Sequence, residues 1–163
     1  MPEWGAKVSF AGSAFKGCYG LSGRIPKWGS AITSVFSTFE GCRGLCGEVP
    51  EWTNSIVNAG STFSGCYGIS GNVPSWGASI TSPTWCFYQC YGLTGKIPQW
   101  GPAITNITSI YNQCTGLTGV WNDSATDAEL MPSTITTTTN AVAGCPNSLR
   151  EKFLTTWGGT RTT

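Results

Sequence analysis

Histidine is absent from this 163-residue chain, and charged residues make up only 10% of it. Without imidazole, the side chain most used for proton transfer near neutral pH is missing. Nine Lys and Arg stand against eight Asp and Glu, a formal net charge of +1. Such a balance gives no electrostatic basis for binding nucleic acid or an anionic membrane. No run approaches the roughly 18 apolar residues of a membrane span, so no membrane insertion is expected. Met1-Pro2-Glu3 leads straight into a repeat, where a signal peptide would show a basic and then an apolar start. No serine or cysteine nucleophile has a base beside it, and no phosphate-cradling glycine loop separates a strand pattern from a helix pattern. An enzyme is the least favoured class, and no cofactor is implied.

What is present is a period. The phrase Cys90 to Trp100, CYGLTGKIPQW, returns with its spacer every 24 residues. The cysteine recurs as Cys18, Cys42, Cys66, Cys90 and Cys114, and the tryptophan as Trp4, Trp28, Trp52, Trp76 and Trp100. Pro2, Pro26, Pro50, Pro74 and Pro98 precede them by two residues. A fixed period of this length, kept without insertion, is the mark of a solenoid in which each residue lies over its counterpart.

Apolar residues keep to files: Val8, Ile32, Ile56, Ile80 and Ile104; Phe15, Phe39, Phe63, Phe87 and Tyr111; Leu21, Leu45, Ile69, Leu93 and Leu117; Ile25, Val49, Val73 and Ile97. One repeat cannot bury its own faces, so neighbours must cover one another. Each indole buries about 150 to 250 Å², which at about 25 cal/mol per Å² is at most roughly 4 to 6 kcal/mol. A short strand is expected over G-L-x-G-x-[IV], a turn at P-x-W-G, and an irregular return through S-I-T to F-x-x-C. Stacked strands would then form a narrow parallel sheet.

Six cysteines, counting Cys145, share one file. Neighbours in a file stand about 4.8 Å apart with parallel side chains, wider than a disulfide tolerates between β-carbons. Buried free thiols are therefore expected, with Cys46 and Cys86 in other files. Cys42/Cys46 and Cys86/Cys90 read C-x-x-x-C but lack a histidine partner, so no metal site is expected.

The period breaks after Trp121. From Cys114 to Cys145 the step is 31, and the extra residues fall within Asn122 to Thr134. This predicts a polar loop carrying Asp123, Asp127 and Glu129, too sparse a set of carboxylates for a calcium loop. The domain reading is five repeats over 1–121, a degenerate sixth with the insertion over 122–147, and a capping helix with its tail over 148–163. Ser148 and Glu151 have the spacing of a capping box, Leu149, Phe153 and Trp157 share a helical face, and Gly158-Gly159 would stop the helix. The first repeat has no such lid. Val8, Phe15 and Leu21 would present an open apolar edge able to take an upstream segment or a second copy.

The L-x-x-L strand with its Cys at the turn resembles the leucine-rich repeat. S-I-T-N/S followed by F-x-x-C-x-x-L is similar to BspA-like leucine-rich repeats of bacterial surface proteins, and L-x-G-x-I-P to the plant-type phrase. The resemblance covers Pro2 to about Ser148, departing at P-x-W and in the glycine files. It implies a curved, right-handed solenoid of about six coils, at a cell surface or secreted, that binds proteins or glycans without catalytic machinery. The contact face would carry Tyr19, Arg43, Tyr67 and Tyr91, beside Arg24, Glu48, Asn72 and Lys96. The competing expectation is a structural protein whose coils stack end to end into a fibre. Ice binding by Ser9, Thr33, Val57, Thr81 and Thr105 is a weaker one, because valine interrupts the file and no second file matches it.

Overall fold

The computed structural model describes residues 3–156. Pro2, Trp157, Gly158 and Gly159 lie outside them. A single parallel sheet of five strands runs in chain order: β1 (Ser22–Arg24), β2 (Gly44–Glu48), β3 (Ile69–Asn72), β4 (Leu93–Ile97) and β5 (Leu117–Val120). The first four strands alternate in burial, whereas β5 ends on two buried residues, Gly119 and Val120. In β2, Leu45 is buried while Cys46 and Glu48 are exposed. Strand partners such as Gly47↔Ile69 and Gly71↔Leu93 are 22 residues apart, whereas bridges on the return side, Phe10↔Ser34 and Ser34↔Asn58, keep the full 24. A difference of two preserves the side-chain parity of a strand, so inward residues stay inward from β1 to β4; between β4 and β5 the register shifts after Gly95, where Lys96 pairs with Gly119 and Ile97 with Val120.

On the return side, neighbouring repeats are joined by backbone rungs. The N–H groups of Ser37, Phe39 and Gly41 donate to the carbonyls of Gly60, Thr62 and Ser64 at 2.8, 2.9 and 2.7 Å, and the same pattern recurs in the flanking repeats. To aim them, the chain takes a left-handed residue at one fixed place, with φ between 50 and 58° at Ser13, Ser37, Ser61, Trp85, Ser109 and Asn140. Strain at a repeated position persists only where its surroundings over-determine it. Here the rungs do so.

Inside, like stacks on like. Phe39, Phe63 and Phe87 follow at centroid distances of 5.8 and 5.7 Å and interplanar angles of 10°, and Trp28, Trp52 and Trp76 at 5.8 and 5.7 Å and 10 to 11°. The cysteine file adds a polar bond. The Sγ atoms of Cys42, Cys66, Cys90, Cys114 and Cys145 donate to the carbonyls of Phe15, Phe39, Phe63, Phe87 and Tyr111 at 2.9 to 3.1 Å. All eight cysteines are free thiols. Cys18 departs from the expected burial and is exposed, because among the described residues no preceding repeat offers it a carbonyl.

Two expectations at the C-terminal end need correction. The insertion is not simply a polar loop: it holds a one-turn helix, α1 (Asp127–Leu130), closed by a capping box between Thr126 and Glu129. Leu130 is buried, and its carbonyl accepts the indole N–H of Trp100 at 2.9 Å. The N–H groups of Trp28, Trp52 and Trp76 are buried with no hydrogen-bond partner. Secondly, the last helix, α2 (Asn147–Thr156), starts one residue before Ser148, which therefore lies within it and is not its cap. Pro146 supplies the first turn, its carbonyl accepting from the N–H groups of Leu149 and Arg150 at 3.1 Å. Leu149 and Phe153 are buried as expected, with Phe153 edge-on to Trp100 at 6.4 Å.

The Gly20, Gly44, Gly68 file is set by close approach. A Cβ on Gly44 would lie 2.7 Å from the Leu21 carbonyl oxygen, and one on Gly68 2.5 Å from that of Leu45, while at Gly20 nothing lies within 4 Å. Gly68→Ala should therefore destabilise the protein by about 1 to 3 kcal/mol. Gly20→Ala should leave the urea midpoint within error of the parent. Equal effects of the two changes would contradict this account of the file.

Candidate recognition surface

The turn that enters each strand carries one outward side chain, at Tyr19, Arg43, Tyr67 and Tyr91. All four are exposed, Tyr19 at 66%. They sit ahead of the strands and not on the sheet face, which corrects the expected placement. The glycine that follows Arg43, Tyr67 and Tyr91 packs on the preceding repeat's carbonyl, and the strand's own outward positions begin beyond it. The four side chains touch in sequence. The Arg43 guanidinium carbon lies 5.3 Å from the ring centroids of both Tyr19 and Tyr67. Tyr67 lies 5.3 Å from Tyr91 at an interplanar angle of 41°. Tyr91 Oη then donates to Gln113 Oε1 at 3.4 Å, which also accepts from Gln89 Nε2 at 3.2 Å.

Gln89 and Gln113 were not among the residues expected to form this surface. Their signal was the shared position one residue before the cysteine. Burial, then the neighbouring Tyr67, pushes the Tyr91 phenol up.

Arg24, Glu48, Asn72 and Lys96 form a second exposed file on the strands. Arg24 and Glu48 each lie over the glycine of the next repeat, at Gly47 and Gly71, where φ is 82 and 81°. Asn72 does the same at Gly95. Lys96 is engaged elsewhere: its Nζ pairs with Asp123 at 2.7 Å, and Lys152 reaches the same carboxylate at 3.7 Å. The Lys96 hydrogen bond and charge hold the Asp123 carboxyl below its ordinary value. Glu129 is likewise held low by its capping bonds to Thr126. The carboxylates of the insertion thus serve the C-terminal end. Among the described residues, no group of three or more His, Cys, Asp or Glu is placed to hold a metal.

At the first repeat, Val8, Phe15 and Leu21 are half-buried, whereas Ile32, Phe39 and Leu45 one repeat on are fully buried. An apolar edge therefore does lie there among the described residues. A scattered set of exposed aromatics occupies the return side, with Phe36 beside Gly60 and Trp85 edge-on to Tyr88 at 4.9 Å. Ser9, Thr33, Val57, Thr81 and Thr105 are all exposed, and the Thr33 and Thr105 hydroxyls donate to the carbonyls of Ser9 and Thr81.

The buried thiols carry a pH dependence. Burial pushes Cys66, Cys90 and Cys114 well above the ordinary value near 9, with neighbouring thiols adding to the effect, and takes Cys145 to about 12. Below the unfolded pKa both states keep these protons and stability is flat. Above it the unfolded chain releases protons that the folded chain retains, so stability falls as pH rises. The slope is about 1.4 kcal/mol per pH unit for each retained proton. Thermal unfolding under reducing conditions should give one Tm from pH 6 to 8 and a progressively lower one above about pH 9.

Compared with known proteins, the chain matches no family model, and no curated protein or solved structure is significantly similar to it.

Proposed function

We propose that the chain is a leucine-rich-repeat-like solenoid acting as a non-enzymatic recognition module of a cell-surface or secreted protein, with Tyr19, Arg43, Tyr67 and Tyr91 as its contact strip. The observation that carries this reading is the continuous contact of those four exposed side chains across four repeats. Large amphipathic side chains held by their neighbours lose little conformational freedom when a ligand arrives, which is what a binding surface needs. Parallel strands in chain order, with repeat-to-repeat bonding, support the solenoid itself.

Between the two ligand classes, the geometry favours protein over glycan. A sugar ring stacks on an open aromatic face, and the central ring of the ladder has a neighbour on both sides. Tyr67 has Arg43 on one side and Tyr91 on the other. Ring edges, hydroxyls and a guanidinium remain for contact.

Peptide and glycan arrays probed with the labelled protein, in parallel with the Tyr67→Ala/Tyr91→Ala double variant, test this. Ligands that disappear with the variant while its Tm is unchanged are expected. Blank arrays, or spots indifferent to the variant, would remove the basis for recognition by this strip.

End-to-end assembly is the second reading, and one observation favours it. Among the described residues, the carbonyls of Phe10, Gly12, Ala14 and Lys16 are unpaired at one end, and the N–H groups of Thr138, Asn140, Val142 and Gly144 at the other. These occupy the two sides of the same rung pattern, so a head-to-tail contact would continue it, whereas a head-to-head contact would oppose acceptor to acceptor. Against it, α2 packs on β5 and buries Leu149 and Phe153 at the end that would receive the partner. Light scattering from 1 to 500 μM, as concentrations on the order of typical weak Kd values, separates the readings. A monomer throughout favours recognition, and open-ended growth favours the fibre.

A further inference from the structure

We infer that Arg43 is a preorganised carboxylate receptor, and that the partner presents an acidic protein segment to it. This rests on the strip being a recognition surface and names the chemistry it recognises.

The inference starts from the one rung that is not aromatic. In the file Tyr19, Arg43, Tyr67, Tyr91, the second repeat places a guanidinium between two tyrosine rings, its carbon 5.3 Å from each centroid. A guanidinium is planar, with five N–H donors around its rim. Rings on both sides hold the group, and the rim is left to meet whatever lies outside the repeat stack.

No acceptor among the described residues meets it. Among the described residues, Arg43 forms neither an ion pair nor a side-chain hydrogen bond. The carboxylate three residues earlier, Glu40, is paired with Lys16 at 3.0 Å, and Asp123 is held by Lys96 and Lys152. Of the other two cations expected on this surface, Lys96 is thereby neutralised and Arg24 makes no cation–ring contact among the described residues, whereas Arg43 is held between two rings with its charge and its donors uncommitted. An arginine whose side chain is already ordered, and whose donors match the spacing of two carboxylate oxygens, binds that group in bidentate fashion with less entropy lost than a mobile one.

A protein source of the carboxylate follows from the surroundings. The flanking strand positions Ser22, Cys46, Ser70, Thr94 and Thr118 are exposed and small, hydroxylated except for the Cys46 thiol in the repeat of Arg43, a floor on which an extended backbone can lie. Tyr67 is flanked by Arg43 and Tyr91, which leaves a sugar less of its ring to stack on.

The test is a titration of the whole chain with a blocked hexaglutamate peptide, followed by the NMR signal of Arg43 Nε–H and by calorimetry. Blocked hexaglutamine and a heparin-derived hexasaccharide serve as comparison probes. The expected result is saturable binding of hexaglutamate that shifts the Arg43 signal. The affinity should fall at least tenfold in Arg43→Gln and several-fold in Arg43→Lys, which keeps the charge but not the planar fork. Tyr67→Phe should retain binding and Tyr67→Leu weaken it, since the clamp is the ring and not its hydroxyl. Arg24→Gln should have little effect.

Equal binding of hexaglutamate and hexaglutamine would overturn the carboxylate receptor while leaving recognition by the strip in place. So would equal losses from Arg24→Gln and Arg43→Gln, which would mark diffuse charge attraction. Binding of the hexasaccharide alone would overturn the protein source. Should hexaglutamate fail to bind while the arrays show ligands that depend on the tyrosines, only the receptor falls; blank arrays as well would remove both.

Discussion

Hydrogen bonding between neighbouring repeats is the constraint on which everything else rests. A rung such as Phe39 N–H to Thr62 carbonyl exists only if the two repeats advance at one pitch, and that pitch then brings ring onto ring and thiol under carbonyl. The cysteine file shows the dependence well. Its S–H groups lie in an apolar interior, remain protonated because burial disfavours the thiolate, and therefore keep the hydrogen that bonds the repeat before. Each such bond is individually weak; it gives the thiol a partner and adds a second donor to a carbonyl that already accepts a backbone N–H of its own repeat, as Phe39 O does from Cys42.

The two ends of the stack are treated differently. At the C-terminal end the insertion and α2 act together: Leu130 receives the Trp100 N–H, Phe153 meets the Trp100 ring, and Asp123 draws Lys96 and Lys152 to one point. Trp28, Trp52 and Trp76 have no such acceptor. Their N–H groups are offset by ring burial and by tilted aromatic neighbours such as Phe63, whose centroid lies 6.0 Å from both Trp28 and Trp52.

The period made the order of parallel strands and the buried files legible in the sequence, because a residue repeated every 24 positions has nowhere to go but over its copy. It was mute on direction and detail. That Cys66 donates to Phe39 depends on where the S–H points, which no spacing records. That Leu130 enters the core could not be read from a single apolar residue amid polar ones. Ser148 carried a capping signal that Pro146 overrode by starting the helix earlier. Tyr19, Arg43, Tyr67 and Tyr91 were legible as one exposed file. Their place ahead of the strands was not, since from Arg43 onward it goes with the close packing of the next glycine on a carbonyl of the preceding repeat.

An interior unit of this chain meets nothing but near-copies of itself on either side. Duplicating 24 residues in the middle would therefore extend the aromatic and guanidinium rail by a rung and disturb neither terminus. The length of that rail is then a matter of copy number, adjustable by unequal recombination in whole steps, whereas a single inserted residue would break the rungs on both flanks.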